Sequence, residues 1–136
     1  MIVSCGALFL AKTTNRFLFL QRQGAKYSNT WGLVGGKVES GETVINGLNR
    51  EILEEIGFLP EITKYIPLET YTSSDTSFKY HTFICTVSEE FLPKLNKEHC
   101  GYCWTSSNNY PYPLHPGLKG TFNYKVIQNK IKTIME

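Results

Sequence analysis

Hydrophobic residues along the chain follow two different rhythms. Residues 2–11 (IVSCGALFLA) and 17–21 (FLFLQ) are near-continuous apolar runs of strand length, joined by the turn-like KTTNR at 12–16. Such runs predict β-strands buried on both faces. Further strands are predicted at 62–71, 78–87 and 101–105, and a glycine-rich stretch, WGLVGG, occupies 31–36. Over 43–56 the rhythm changes: Ile45, Leu48, Ile52 and Ile56 recur three or four residues apart, and Gly57 follows as a stop. That spacing predicts a helix. The segment 106–116 carries three prolines and two asparagines and reads as a loop. A last helix is expected from about residue 120 to the end, with Phe122, Val126, Ile127, Ile131 and Ile134 near helical spacing. Strands mixed with one central and one terminal helix predict an α/β or α+β domain over 1–136.

Composition narrows this picture. At 136 residues and 41% hydrophobic, the chain is long enough for one core and too apolar for disorder. Lys plus Arg is 14 against 12 Asp plus Glu, a net charge of +2 with no basic tract of the kind nucleic-acid surfaces need. A small anionic ligand remains compatible. No run approaches the ~18 apolar residues that span a bilayer. The apolar opening has no cationic leader and reads as a first strand. Cys5 and Cys85 lie inside strand-like runs and read as small core residues, in a chain that needs no disulfide to fold. The expected compartment is reducing and cytoplasmic.

The chemistry concentrates in REILEEIGF, residues 50–58. With Leu48 at zero on a helical wheel, Ile52, Ile45, Ile56 and Leu53 fall at about 40°, 60°, 80° and 140°, an apolar stripe. Glu55, Glu51 and Glu54 fall at about −20°, −60° and −120°, an acidic arc beside that stripe, with Gly47 leaving room within it. Glu51 and Glu55 form a like-charged i,i+4 pair. No lysine lies on the arc, and Arg50 is expected to compensate one carboxylate at most. A hard divalent cation would resolve the repulsion, since Mg²⁺ takes oxygen ligands and keeps waters that phosphate can replace. On spacing alone, a solvated acidic face accounts for the same residues.

The wider pattern resembles the Nudix box: Gly36, five residues, Glu42, seven residues, then Arg50, Glu51, Ile52, Glu54, Glu55, Gly57 and Phe58. Nine defined positions over 23 residues comply. The flanks are similar too, with a strand ending in Gln21 and Arg22, then WGLVGGKVE at 31–39, and EHCGYCW at 98–104 as the closing strand. Val34 stands where the family often has proline. The resemblance implies an α/β/α sandwich with a mixed central sheet and a loop-helix-loop catalytic motif. It implies a metal-dependent pyrophosphohydrolase of nucleoside diphosphate derivatives, with a nucleoside triphosphate preferred. ADP-ribose, an NDP-sugar, a dinucleoside polyphosphate, or a non-catalytic nucleotide-binding module are the alternatives. By position, Glu54 and Glu55 would be Mg²⁺ or Mn²⁺ ligands, and Glu51 a ligand or general base. A carbonyl of Gly35 or Gly36 would be a further ligand. Arg50 would orient a helix carboxylate, and Glu42 would support the loop.

Outside the box, Arg22 and Lys37 are the cations best placed to touch phosphates, with ordinary surface charge as the alternative. Glu98, before the closing strand, stands where the resemblance to MutT-like members of the family implies a further metal-binding or basic carboxylate, with a loop carboxylate of no role as the alternative. Cys100 and Cys103 form a CxxC beside His99, but zinc needs a second pair that the chain lacks, so both are read as strand residues. Trp31, Trp104 and the tyrosines at 71, 80, 110 and 112 could stack on a base; packing accounts for them equally. The expected partner is a small nucleotide, with no membrane and no protein partner; a homodimer is left open.

Overall fold

The longest apolar run builds the centre of the sheet. In the computed structural model, which describes residues 1–24 and 26–136, β1 (Ile2–Ala11) is hydrogen-bonded along both edges. On one edge it runs parallel to β6 (Phe78–Val87), from Ile2 opposite Phe78 to Ala11 opposite Val87. On the other it meets β4 (Val34–Lys37) over Ser4–Ala7 and β2 (Arg16–Arg22) at Leu10 and Ala11, both antiparallel. Strand β2 also pairs with β3 (Trp31–Gly32) and β7 (His99–Thr105), and β5 (Lys64–Thr72) closes the far side against β6. The result is a seven-stranded mixed sheet. Asn15 makes the tight β1–β2 turn with φ of 58°, a left-handed conformation that asparagine tolerates, and its N–H donates to the Ala11 carbonyl at 2.7 Å. Pro67 is accommodated in β5 because the register shifts between Pro67 and Glu69.

Side chains alternate across β1 and so feed two cores. Cys5, Ala7, Phe9 and Ala11 face α1 (Val44–Ile56), meeting Leu48, Ile52 and Ile56. Leu8 and Leu10 face α2 (Pro116–Asn123) and α3 (Lys125–Met135), meeting Leu118, Phe122, Ile127 and Ile131. This is the expected α/β/α sandwich. Helix α1 starts at an N-cap, where the Thr43 hydroxyl accepts from the Asn46 N–H at 3.1 Å. It ends at Gly57 with φ of 84°, whose N–H donates to the Leu53 carbonyl.

Four expectations need correction. The C-terminal helix is two helices. It begins four residues early because Pro116 occupies the first helical position, where proline costs nothing, and His115 caps it by accepting from the Gly117 N–H. It then breaks at Tyr124 (ψ 125°), where the Gln128 side chain donates to the freed Phe122 carbonyl at 2.9 Å. Val126 consequently points to solvent, 76% exposed. The glycine-rich stretch contains the short strands β3 and β4, and the closing strand starts at His99, two residues before the predicted start. On α1, Leu53 is 53% exposed, whereas Glu55 is buried at 4%. The acidic arc and the core face therefore overlap at Glu55.

Candidate active site

Arg50 is the hub of the helix's polar side. Its Nε donates to Glu42 Oε2 at 2.8 Å and its Nη2 to Glu42 Oε1 at 3.0 Å, a two-pronged pair that fixes the loop ahead of α1. Nη2 also donates to the Lys37 carbonyl at 2.9 Å, tying α1 to the end of β4. Nη1 reaches Glu51 at 3.1 Å, Glu54 at 3.4 Å and Glu39 at 3.6 Å. The expectation that Arg50 compensates one carboxylate is thus corrected, because a flat guanidinium can face several acceptors at once. Hydrogen bonds from Arg50 and the Glu39 N–H hold the Glu42 carboxyl down at about 2, well below the usual range.

Glu51 and Glu55 depend on glycines for their places. A side-chain carbon on Gly36 would lie 2.5 Å from the Glu51 carboxyl carbon, so glycine alone lets that carboxylate lie against β4. Glu55 Oε1 accepts the Gly35 N–H at 2.8 Å. Burial nevertheless dominates. It pushes the Glu55 carboxyl up to about 8, aided by the charges of Glu98 and Glu51 and by a hydrogen bond shared with Glu98. Burial also raises Glu51, against the lowering effect of Arg50. Glu54 is the most exposed of the three helix carboxylates, with 57% of its side chain accessible.

Glu98 comes to this cluster from 43 residues beyond Glu55 through the loop 88–98. The loop is fastened to the C-terminal end of α1: the Lys94 N–H donates to the Ile56 carbonyl at 2.9 Å, and Asn96 Nδ2 donates to the Glu54 carbonyl at 3.3 Å. Asn96 Oδ1 then accepts the Glu98 N–H at 3.0 Å, and the Glu98 carbonyl accepts from the Gln23 N–H at 2.9 Å. One loop therefore satisfies the open carbonyls of the helix end and delivers a fourth carboxylate to it.

Comparison with known proteins decides the family. The NUDIX domain profile matches residues 2–128. The chain belongs to the Nudix hydrolase family. It is 35% identical over 111 residues to a dihydroneopterin triphosphate diphosphatase of Haemophilus influenzae, covering 71% of this chain and 68% of that one. It is 33% identical over 111 residues to the nucleoside triphosphatase NudI of Escherichia coli, covering 73% and 78%. In fold it is similar to the Nudix hydrolase RenU of M. smegmatis, with a TM-score of 0.78 at 22% identity over 96% of this chain and 86% of that one.

The Nudix box thus occupies the β4–α1 junction, and the remaining predicted residues distribute unevenly around it. Arg22, at the end of β2, is half-buried, and its Nε is buried without a partner among the described residues. The Lys37 side chain is exposed, while its carbonyl is already used by Arg50. The Gly36 carbonyl accepts a weak contact from the Cys5 thiol at 3.7 Å. Burial pushes that thiol up to about 11, so it is a neutral packing group under the box. Val34 is fully buried and fills the place the family often gives to proline. Cys100 is exposed and Cys103 half-buried; both are free thiols on β7.

Two contributors escaped the sequence reading. Lys94 and Asn96, which fasten the Glu98 loop, act through a backbone N–H and a side-chain amide that carry no motif. Tyr80 on β6, named in the sequence as a residue that could stack on a base or pack, has a hydroxyl pushed up chiefly by burial.

Proposed function

We propose that this Nudix hydrolase cleaves a nucleoside triphosphate or a closely related heterocyclic triphosphate to the monophosphate and pyrophosphate. The observation that carries this reading is the convergence of Glu98 on the box carboxylates, with Glu55 buried among them. Both relatives described above are named for action on triphosphates, which favours this class over ADP-ribose, NDP-sugars and dinucleoside polyphosphates.

The donor set fits a hard divalent cation, Mg²⁺ or Mn²⁺. Every charged donor is a carboxylate oxygen, and Glu55 is buried beside Glu98 and Glu51 with one N–H to balance it. Among the described residues no group of three His, Cys, Asp or Glu side chains is already closed around a single point, so substrate oxygens and water are expected to complete the coordination. Glu54, Glu55 and Glu51 would hold the metal, with Glu98 and a Gly35 or Gly36 carbonyl as accessory donors. The bound cation supplies charge neutralisation for the anhydride and lowers the pKa of the attacking water.

The chain's own groups do the rest. A water oxygen bonds to phosphorus, the anhydride P–O bond breaks, and its electron pair leaves on the pyrophosphate oxygen. Glu51 or Glu98 accepts the water's proton. Arg50 keeps Glu51 and Glu54 in place while it locks the preceding loop through Glu42. Arg22, with an unused buried donor, and the exposed Lys37 are assigned to phosphate oxygens. Four free thiols, at Cys5, Cys85, Cys100 and Cys103, support the further proposal of a reducing, cytoplasmic compartment.

The decisive assay is product release from a panel of dNTPs, NTPs, dihydroneopterin triphosphate, ADP-ribose, NDP-sugars and dinucleoside polyphosphates, with Mg²⁺ and with a chelator. Metal-dependent pyrophosphate release from a triphosphate is expected. Binding without turnover across the panel would instead support the non-catalytic module.

A further inference from the structure

Among the described residues, three buried side-chain atoms stand without a hydrogen-bond partner: Arg22 Nε, His99 Nδ1 and Thr105 Oγ1. Thr105 lies at the far end of β7, opposite Phe17. The two nitrogens belong together. Strand β2 pairs antiparallel with β7, and the register opposes Arg22 to His99. Leu18 and Leu20 belong to the core under α1, so by strand alternation Arg22 faces the same way, and the residue paired with it shares its face. Side chains paired in this way stand about 5 Å apart at Cβ, which an arginine and a histidine easily span.

A β-bulge makes this pairing. Gln21 opposes Gly101, and a regular ladder would next bring Cys100 opposite Arg22. The register shifts there instead, Cys100 becomes the extra residue, and its thiol turns to Gln21 Oε1 at 3.6 Å. A histidine thereby takes the place of a cysteine beside the arginine. The junction is fastened on its other side, where the Gln23 N–H donates to the Glu98 carbonyl at 2.9 Å and Gln23 Nε2 to the Lys97 carbonyl at 2.8 Å. His99 is buried, and burial holds it below its ordinary pKa, so the ring is neutral near pH 7 and has one nitrogen free to accept.

The two arginines of the site differ in what holds them. Arg50 directs its Nε to a carboxylate, Glu42, at 2.8 Å. Arg22 takes part in no ion pair among the described residues. Its Nε is shut off from solvent, so an arriving substrate meets the terminal nitrogens and not Nε. The acceptor for Nε therefore has to come from the protein, since a buried donor left unpaired is costly. A neutral acceptor also fixes the plane of the guanidinium without cancelling its charge.

We infer that His99 is a positioning residue for Arg22: its Nδ1 accepts the Arg22 Nε–H, and the guanidinium so oriented presents its two terminal nitrogens to phosphoryl oxygens of the substrate. This rests on the hydrolase reading above and deepens its assignment of Arg22. His99 touches no reacting atom and moves no proton to or from the substrate.

Three substitutions separate the acceptor from the ring. His99→Phe (or His99→Leu, should the first fail to fold) keeps an apolar filling and removes the acceptor. His99→Asn removes the ring and keeps an oxygen near the Nδ1 position, and Arg22→Ala removes the residue acted upon. Steady-state kinetics would use the best triphosphate substrate with Mg²⁺, and calorimetry would follow binding of α,β-methylene-ATP and α,β-methylene-GTP. His99→Phe should raise KM and Kd about tenfold with kcat within about threefold, whereas His99→Asn should stay within about threefold of wild type in all three. In the Arg22→Ala background, His99→Phe should add less than about twofold, because the residue it acts through is gone. Unchanged KM and Kd in His99→Phe overturn the assignment. So does a loss in His99→Asn as large as that in His99→Phe, which marks packing, and so do additive losses in the double variant. A fall in kcat alone overturns it as well, since that marks an effect through the adjacent Glu98. If the wild type binds the analogues but hydrolyses no triphosphate, the hydrolase reading falls and His99 is judged by the same comparisons on Kd. A wild type that binds neither analogue nor substrate overturns both.

Discussion

Glu55 makes the metal-free protein a pH-sensitive one, with a sign opposite to that of ordinary paired carboxylates. Burial holds its proton to about pH 8 in the folded state, against an ordinary 4.5. Below pH 4.5 both folded and unfolded chains carry the proton, and nothing is lost. Between those values the folded chain binds a proton that the unfolded chain has released, so stability falls as pH rises. Above pH 8 the full penalty is present. At 1.36 kcal/mol for each pH decade, the displacement corresponds to an order of 5 kcal/mol at most. That is a large fraction of the total stability of a domain of this size. A divalent cation replaces the proton and removes the penalty, so metal affinity should climb with pH up to about 8 and then level off.

The experiment compares urea unfolding of wild type and Glu55→Gln at pH 5 and pH 9, in chelator, followed by tryptophan fluorescence. Glutamine keeps an acceptor for the Gly35 N–H and cannot ionise. His81, His99 and His115, all held below their ordinary pKa mainly by burial, titrate in both proteins and cancel in the difference. The wild type should lose several kcal/mol more than the variant between the two pH values, and at pH 9 without metal the inactive variant should be the more stable. Excess Mg²⁺ should restore only the wild type. Parallel pH dependence in the two proteins would falsify the buried-carboxylate account of this site.

The remaining predictions concern the other members of the cluster. Glu54→Gln should lower kcat by roughly a hundredfold or more with an unchanged far-UV spectrum, because the side chain is exposed and, on the proposed reading, serves the metal rather than packing. Near-normal turnover would remove it from the ligand set. Arg50→Lys should cost roughly ten- to a hundredfold in metal affinity or activity, since an ammonium cannot span Glu42, the Lys37 carbonyl and Glu51 together. Metal titration at fixed pH reads this directly, and wild-type affinity would show the clamp to be dispensable. Glu98→Gln and Glu51→Gln, assayed side by side at one metal concentration, assign the base. The residue that takes the proton should lose kcat far more than it alters KM, and retention of most activity in Glu98→Gln would leave the role with Glu51.

How much of this was readable in advance follows from which interactions are local. Strands β1 and β2, helix α1 and the box ligands depend on neighbours within a few residues, and apolar runs, helical spacing, Thr43 and Gly57 signal them. The failures share a different cause. Glu55 was placed beside the core because a helical wheel knows angle but not reach. Its side chain extends to the Gly35 N–H on another element and is buried there, while Leu53, well placed by angle, stays largely exposed. The break at Tyr124 is equally invisible, since it has neither proline nor glycine. It is sustained by Gln128 returning to the Phe122 carbonyl and by Ile127 and Ile131 finding the sheet. Glu98 was named only through resemblance, because the reason it arrives lies in Lys94 and Asn96 fastening a loop to carbonyls at the end of α1. The same asymmetry bears on function. The box carboxylates sit on one helix and are written as a motif, whereas Arg22 lies on β2 and Glu98 arrives through a loop fastened by Asn96, so both join the box only when the chain has folded. A short contiguous signal can therefore carry the chemistry common to a family, while contacts to the rest of the substrate are distributed over register and side-chain direction. On the proposed reading, Arg22→Ala should accordingly raise KM for every triphosphate alike at little cost to kcat, because all of them share the phosphates, and substitution of the α1 carboxylates should do the reverse; an unchanged KM across a triphosphate panel would remove Arg22 from the substrate.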